Sequence, residues 1–221
     1  MTLSPLTRIR IARRFFAVAQ DPRRLDEVLG MADQIGGSQD PAADLPEHLV
    51  AIALALPEQK DLPSLQELRG YAPGTVGRAY AEFMDANGLT PEALSYPEGS
   101  SDVDRFRRHM RTSHDLWHVA TGWHPDGVGE LGLQGFYLAQ LRFAFPALIL
   151  GAGLVHVLWK QRELAWDVVD AVAEGWRQGS DAELLVGVDW ASWMGRPLEE
   201  LRAELGIEAA GEREQQMPLV A

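Results

Sequence analysis

The chain has 221 residues, no cysteine and a formal net charge of −12. Without cysteine there are no disulfides, no thiolate catalysis and no sulfur ligation, so any metal must sit on nitrogen and oxygen. An acidic balance repels a phosphate backbone, which removes nucleic acid from the expected partners, and no glycine-rich phosphate loop or dinucleotide fingerprint is present.

Residues 1–20 carry Arg8, Arg10, Arg13 and Arg14 and no acid before Asp21. That pattern is shared by organelle transit peptides and by an amphipathic first helix with Ile9 and Phe16 on one face. We prefer the helix, because a second helical spacing (Leu25, Val28, Leu29, Ala32) follows without a break. Residues 11–20 hold no sustained apolar region, so no secretory signal is expected. Residues 35–46 read as a loop rich in Gly, Asp and Pro, and 49–56 as a short apolar run that is helix or strand.

Thr75 is placed to cap a helix carrying Val76, Tyr80, Phe83 and Met84, ending at Asn87-Gly88. Thr90-Pro91-Glu92 is another helix start. Ser101 and Asp104 resemble a capping box that opens a helix to about Thr121, with Gly122 as its stop and Pro125 beyond. The next helix begins near Asp126 and holds Glu130 and four glycines: 127, 129, 132 and 135. Interior glycines destabilise a helix by about 0.8–1 kcal/mol each, so this face is expected to lie against a ligand or another helix backbone.

Residues 143–159 are apolar apart from His156, flanked by Arg142 and Lys160. Seventeen residues is at the lower edge for a membrane span, which needs about 20. The segment reads as a buried helix or the wall of a lipid cavity before it reads as a span. Leu164, Val168, Ala171, Val172 and Trp176 mark a helix stopped at Gly179, and Pro197, Leu198, Leu201 and Leu205 one closed by Gly206. Nothing alternates with period two. The expected fold is all-α: one multi-helix domain, with a metal site between two antiparallel helices and an apolar lipid cavity. Its parts are an N-terminal helical segment (1–70) packing on the core, a metal-binding core (71–207) and an unstructured tail (208–221).

Chemistry concentrates in His114-Asp115-Leu116-Trp117-His118. Residues four apart share a helix face, so both imidazoles can address one point. Asp115 lies on the adjacent edge of that face. Eleven residues separate His118 from Glu130, the length of a helix end, a turn and a first turn of an antiparallel partner. Two imidazoles and two carboxylates suit Zn²⁺, and also Fe²⁺, Mn²⁺ or Co²⁺, better than calcium or magnesium. Asp115 is either the fourth ligand or a group that orients a histidine and leaves a coordination position open. His109 and His124 are spare candidates, and His156 reads as a core histidine. Arg108 and Arg111 precede the motif on its helix and are either a solvated face or a carboxylate-binding pair.

The motif HDxxH-x11-E resembles the signature of the coenzyme Q biosynthesis protein 4 family. Pro73-Gly74-Thr75-Val76-Gly77-Arg78-Ala79-Tyr80-Ala81 resembles its early helix. Trp176-Arg177-Gln178-Gly179 with Leu184-Leu185 and Asp189-Trp190 resembles its late region, and Pro197-Leu198-Glu199-Glu200-Leu201-Arg202 with Leu205-Gly206-Ile207 its closing helix. The resemblance covers about residues 70–207.

It implies an all-helical protein, peripheral on membranes, acting in ubiquinone synthesis beside other biosynthetic proteins. It also implies a divalent metal, usually given as zinc, on His114, Asp115, His118 and Glu130. The implied reaction is removal of the C1 carboxylate from a polyprenylated 4-hydroxybenzoate-derived ring, with C1 hydroxylation in an oxidative version. Arg108 and Arg111 are then substrate-binding candidates, and the partners are the polyprenylated quinone precursor and, as a further expectation, a second copy of the chain. A lipid-binding scaffold without catalysis is the alternative. A metal-dependent hydrolase is a third reading, disfavoured because no distant second histidine–aspartate pattern is present. Arginine over lysine and an Ala/Gly-rich composition favour a bacterial protein at the cytoplasmic face of the inner membrane or in the cytoplasm; a eukaryotic one belongs on the matrix side of the mitochondrial inner membrane.

Overall fold

The computed structural model describes residues 5–21, 24, 27, 28, 30, 47–56, 62–91 and 101–211. Among them the secondary structure is helical, and the β contact present is an isolated bridge between Thr75 and Pro197. The helices are α1 (Pro5–Gln20), α2 (Glu47–Ala55), α3 (Leu65–Leu68), α4 (Val76–Asn87), α5 (Asp102–Thr121), α6 (Gly127–Leu141), α7 (Ala144–Lys160), α8 (Ala165–Asp181), α9 (Trp190–Trp193) and α10 (Leu198–Leu205), with 3₁₀ turns at Arg162–Leu164 and Leu185–Gly187. The patterns at 25–32, 35–46 and 92–100 lie wholly or mostly outside the described residues, as does 212–221.

Contacts divide the chain into two compact units, Met1–Val50 with Asp126–Gly179, and Ala51–Pro125 with Ser180–Ala221. In the first, α7 packs on both α1 and α6. This accounts for the buried apolar residues of the segment: Val18, Ala19 and Ala152 form one buried cluster and Leu131, Leu150, Val157 and Val168 another, while Leu158 and Trp159 at its end are exposed. His156 is a structural histidine, its Nδ1 donating to the Ala19 carbonyl at 3.0 Å. No helix among the described residues is long and apolar enough to cross a membrane.

Two of the α6 glycines, Gly132 and Gly135, are explained by α8, whereas a Cβ on Gly127 would meet nothing within 4 Å. A Cβ on Gly135 would stand 2.5 Å from the Val172 carbonyl oxygen, and one on Gly175 would stand 1.9 Å from that of Gly132. The two backbones meet with no side chain between them, which is helix–helix contact. Gly179 belongs to the same seam: a Cβ there would lie 2.7 Å from the Phe136 carbonyl oxygen, and its own carbonyl accepts from Gln140 Nε2 at 2.9 Å. The expected stop at Gly179 is therefore corrected. The helix runs on to Asp181, and the glycine is there for closeness.

In the second unit the caps stand where the sequence puts them. Arg78 N–H donates to Thr75 Oγ1, and Gly88 ends α4 in the left-handed region. Ser101 and Asp104 form the capping box of α5. Gly206 closes α10 in the same way as Gly88. Val76, Tyr80, Met84, Leu116, Trp117, Leu185, Met194 and Leu201 are buried here. Residues 208–210, expected to fall in an unstructured tail, are part of this unit. Ile207 and Ala209 are buried and Ala210 N–H donates to the Thr121 carbonyl at 2.7 Å, so 208–210 serve to finish α5.

Gly175→Ala is predicted to destabilise the protein by about 2–3 kcal/mol in urea unfolding, because the added methyl overpacks a backbone contact. Gly187→Ala, where a Cβ meets nothing within 4 Å, should change stability by less than about 0.5 kcal/mol. Equal stabilities for the two variants would contradict the close seam.

Candidate metal centre

Helix α5 carries both histidines of the motif. Their rings lie 4.9 Å apart, edge to face at 82°. His118 is 1% exposed and is held on two further sides. The ring of Phe83, from α4, stacks on it at 5.5 Å and 20°. Its Nδ1 lies 2.9 Å from the Trp123 carbonyl oxygen. A carbonyl only accepts, so Nδ1 donates to it, which in the neutral ring leaves the lone pair on Nε2. A backbone carbonyl on one ring nitrogen is the usual means of fixing the tautomer of a metal-binding histidine.

Glu130 follows the turn after α5. Gly122 leaves the helix at φ 81°, and Asp126 accepts from the N–H groups of Val128 and Gly129 at 3.0 and 2.8 Å, starting α6. Glu130 sits in the first turn of α6. One ligand atom from each of His114, His118 and Glu130 lies within 4.8 Å of the others. Two nitrogens and a carboxylate oxygen at these separations are compatible with a single divalent cation.

Asp115, half-buried on α5, is not one of this group. Arg108 and Arg111 are half-buried, six and three residues before His114 on the same helix. His124 is exposed in the turn. His109 is buried and stands apart from the group; its ring bonds the Val186 backbone, and Nε2 has no hydrogen-bond partner. Sequence reasoning did not assign Phe83 or Trp123 to the site. Phe83 was visible as part of an apolar helix face, but nothing in sequence reports which backbone carbonyl meets an imidazole.

Burial holds the His109 imidazole below its ordinary pKa, against the opposing pull of the Val186 carbonyl. Below about pH 6.5 the unfolded chain therefore takes up a proton that the folded chain refuses, and stability falls as pH falls. In metal-free protein, His109→Gln is predicted to lose less melting temperature between pH 7 and pH 5 than wild type. Identical pH slopes would contradict this.

Residues 58–211 match the family described as Coenzyme Q (ubiquinone) biosynthesis protein Coq4. The mitochondrial ubiquinone biosynthesis protein coq4 of Talaromyces stipitatus is 32% identical over 153 residues, 66% of this chain and 50% of that protein. The corresponding protein of Yarrowia lipolytica is 32% identical over 154 residues, 65% of this chain and 55% of that one. This chain thus spans about half the length of the curated relatives it matches. A crystal structure of a protein from Nostoc punctiforme PCC 73102 superposes with a TM-score of 0.73, covering 92% of this chain and 97% of that one at 24% identity, which bears out the fold.

Proposed function

The chain belongs to the coenzyme Q (ubiquinone) biosynthesis protein Coq4 family, and from that premise we propose that it is a metal-dependent enzyme that removes the C1 carboxylate from a polyprenylated 4-hydroxybenzoate-derived ring. The observation that carries this reading is the convergence of His114, His118 and Glu130. Three protein ligands leave coordination positions open for a substrate, as in catalytic sites, where four would close a structural one.

In the reaction the bond from C1 to the carboxylate breaks and carbon dioxide leaves. In the non-oxidative version the electron pair stays on the ring and a proton takes the vacant position; in the oxidative version an external oxidant is required and C1 gains a hydroxyl. A bound divalent cation supplies Lewis-acid polarisation of the ring's oxygen substituents. His118, with Nδ1 tied to Trp123, holds its ligand nitrogen in one direction, and His114 and Glu130 complete the set. Asp115 acts beside them as an orienting group. Arg108 and Arg111 hold the departing carboxylate, for which the guanidinium fork is suited, and the apolar length of α7 takes the isoprenoid tail. Zinc fits the non-oxidative version, while iron, or manganese, fits an oxidative one, because zinc does not change oxidation state.

The protein works at a membrane surface. Leu6, Ile9 and Phe16 of α1 are exposed at 68%, 65% and 57%, interleaved with the exposed Arg8, Arg10 and Arg13. Apolar groups set among arginines suit the interface of an anionic bilayer. Cytoplasmic or matrix-side placement follows from the host, and other ubiquinone-biosynthesis proteins and a second copy are its expected partners.

Glu130→Gln is predicted to lower release of carbon dioxide from a polyprenyl-hydroxybenzoate by at least about 100-fold, with binding to anionic vesicles retained. Wild-type protein that binds vesicles but releases no carbon dioxide under any metal or oxidant supports the scaffold instead. Ile9→Glu/Phe16→Glu should abolish flotation with anionic vesicles; flotation equal to wild type would sink the α1 assignment.

A further inference from the structure

The last carbonyls of an α-helix have no partner within it and must be satisfied from elsewhere. At the end of α5, which carries the metal-site histidines, the partners come from α10 and the residues after it. Arg202 donates through Nε to the Ala120 carbonyl at 3.0 Å and through Nη2 to the Val119 carbonyl at 3.1 Å. Its Nη1 donates to Glu199 at 2.8 Å, which fixes the fork in plane. The side chain of Arg202 is only 14% exposed, whereas the nearby Arg196 lies on the surface with Glu200 and Glu204. Val119 and Ala120 are the two residues that follow His118. The next carbonyl is also committed, since Thr121 accepts from Ala210 N–H, and Gly122 packs so closely that a Cβ there would lie 2.9 Å from Ala210 N. The chain then places the Trp123 carbonyl on His118 Nδ1.

We propose that Arg202 is a positioning residue for His118. Its fork spans two successive carbonyls and sets the last turn of α5. That keeps the Trp123 carbonyl on Nδ1, and so fixes both the tautomer and the direction of the ligand nitrogen. This rests on the metal reading of the site, but the geometry lies wholly in α5, α10 and the turn. A lysine at 202 separates positioning from simple capping. It keeps the positive charge at the negative end of the helix dipole, but as a single-point donor it cannot bridge both carbonyls in plane.

The test uses the full chain and Co²⁺ alone as the probe, with Arg196→Gln as the surface control. Arg202→Lys is expected to keep the melting temperature of the metal-free protein close to wild type. It should weaken Co²⁺ binding by about tenfold and shift the visible spectrum of the bound ion. In metal-free protein, nitrogen-15 NMR should report His118 protonated on Nδ1 in wild type and a mixture of tautomers in the variant. Arg202→Gln should show the same two losses with lower stability. Wild-type tautomer, affinity and spectrum in a folded Arg202→Lys protein would overturn the proposal and leave Arg202 a helix cap. Wild-type protein that fails to bind Co²⁺ while Arg202→Lys still disturbs the tautomer would overturn the metal reading and leave the positioning role standing.

Discussion

The site depends on how one helix ends. α5 stops within one turn of His118 and releases the chain into a short turn before α6, which carries Glu130 in its first turn. A residue with a side chain resists φ 81°, so glycine stands at 122, and it packs against Ala209 and Ala210, where a Cβ would meet atoms at 2.9–3.0 Å. Both requirements act at once: the backbone needs the left-handed conformation and the neighbour needs the space. From that single point the Trp123 carbonyl reaches the His118 ring, and the Asp126 cap starts the helix that bears the carboxylate.

A second constraint shapes the unit that holds Glu130. α6 and α8 approach until backbone meets backbone at Gly132, Gly135, Gly175 and Gly179. The helix propensity lost at these positions is offset by close packing and by burial of the apolar side chains alongside, among them Leu131, Val168 and the half-buried Val172. A first turn carried on such a rigid element is well suited to a ligand, since a metal site tolerates little wander in its donors.

Much of this was legible because caps are local. Thr75, Ser101 with Asp104, Asp126, Gly88, Gly122 and Gly206 each satisfy backbone groups within three or four residues, so their chemistry appears in sequence. The spacing His114–His118–Glu130 was legible for the same reason, because a helix, a tight turn and a helix convert residue numbers into distance. What depends on distant partners was not legible. Gly179 read as a stop because its true neighbour, Phe136, is 43 residues away in the chain. Asp115 read either as a fourth ligand or as an orienting group, and spacing alone did not choose; the grouped ligand atoms come from the two histidines and Glu130. The roles of Phe83, of the Trp123 carbonyl and of residues 208–210 needed coordinates, because aromatic stacking and main-chain acceptance leave no residue-type signature.

The proposed chemistry requires His114, His118 and Glu130 to hold a cation. The most direct measurement is elemental analysis of purified wild-type protein beside a His114→Ala/His118→Ala double variant. The account predicts about one divalent metal ion per chain, zinc or iron, in wild type and none in the variant. A wild-type protein that carries no metal even after reconstitution, or a variant that keeps its full complement, would contradict the account.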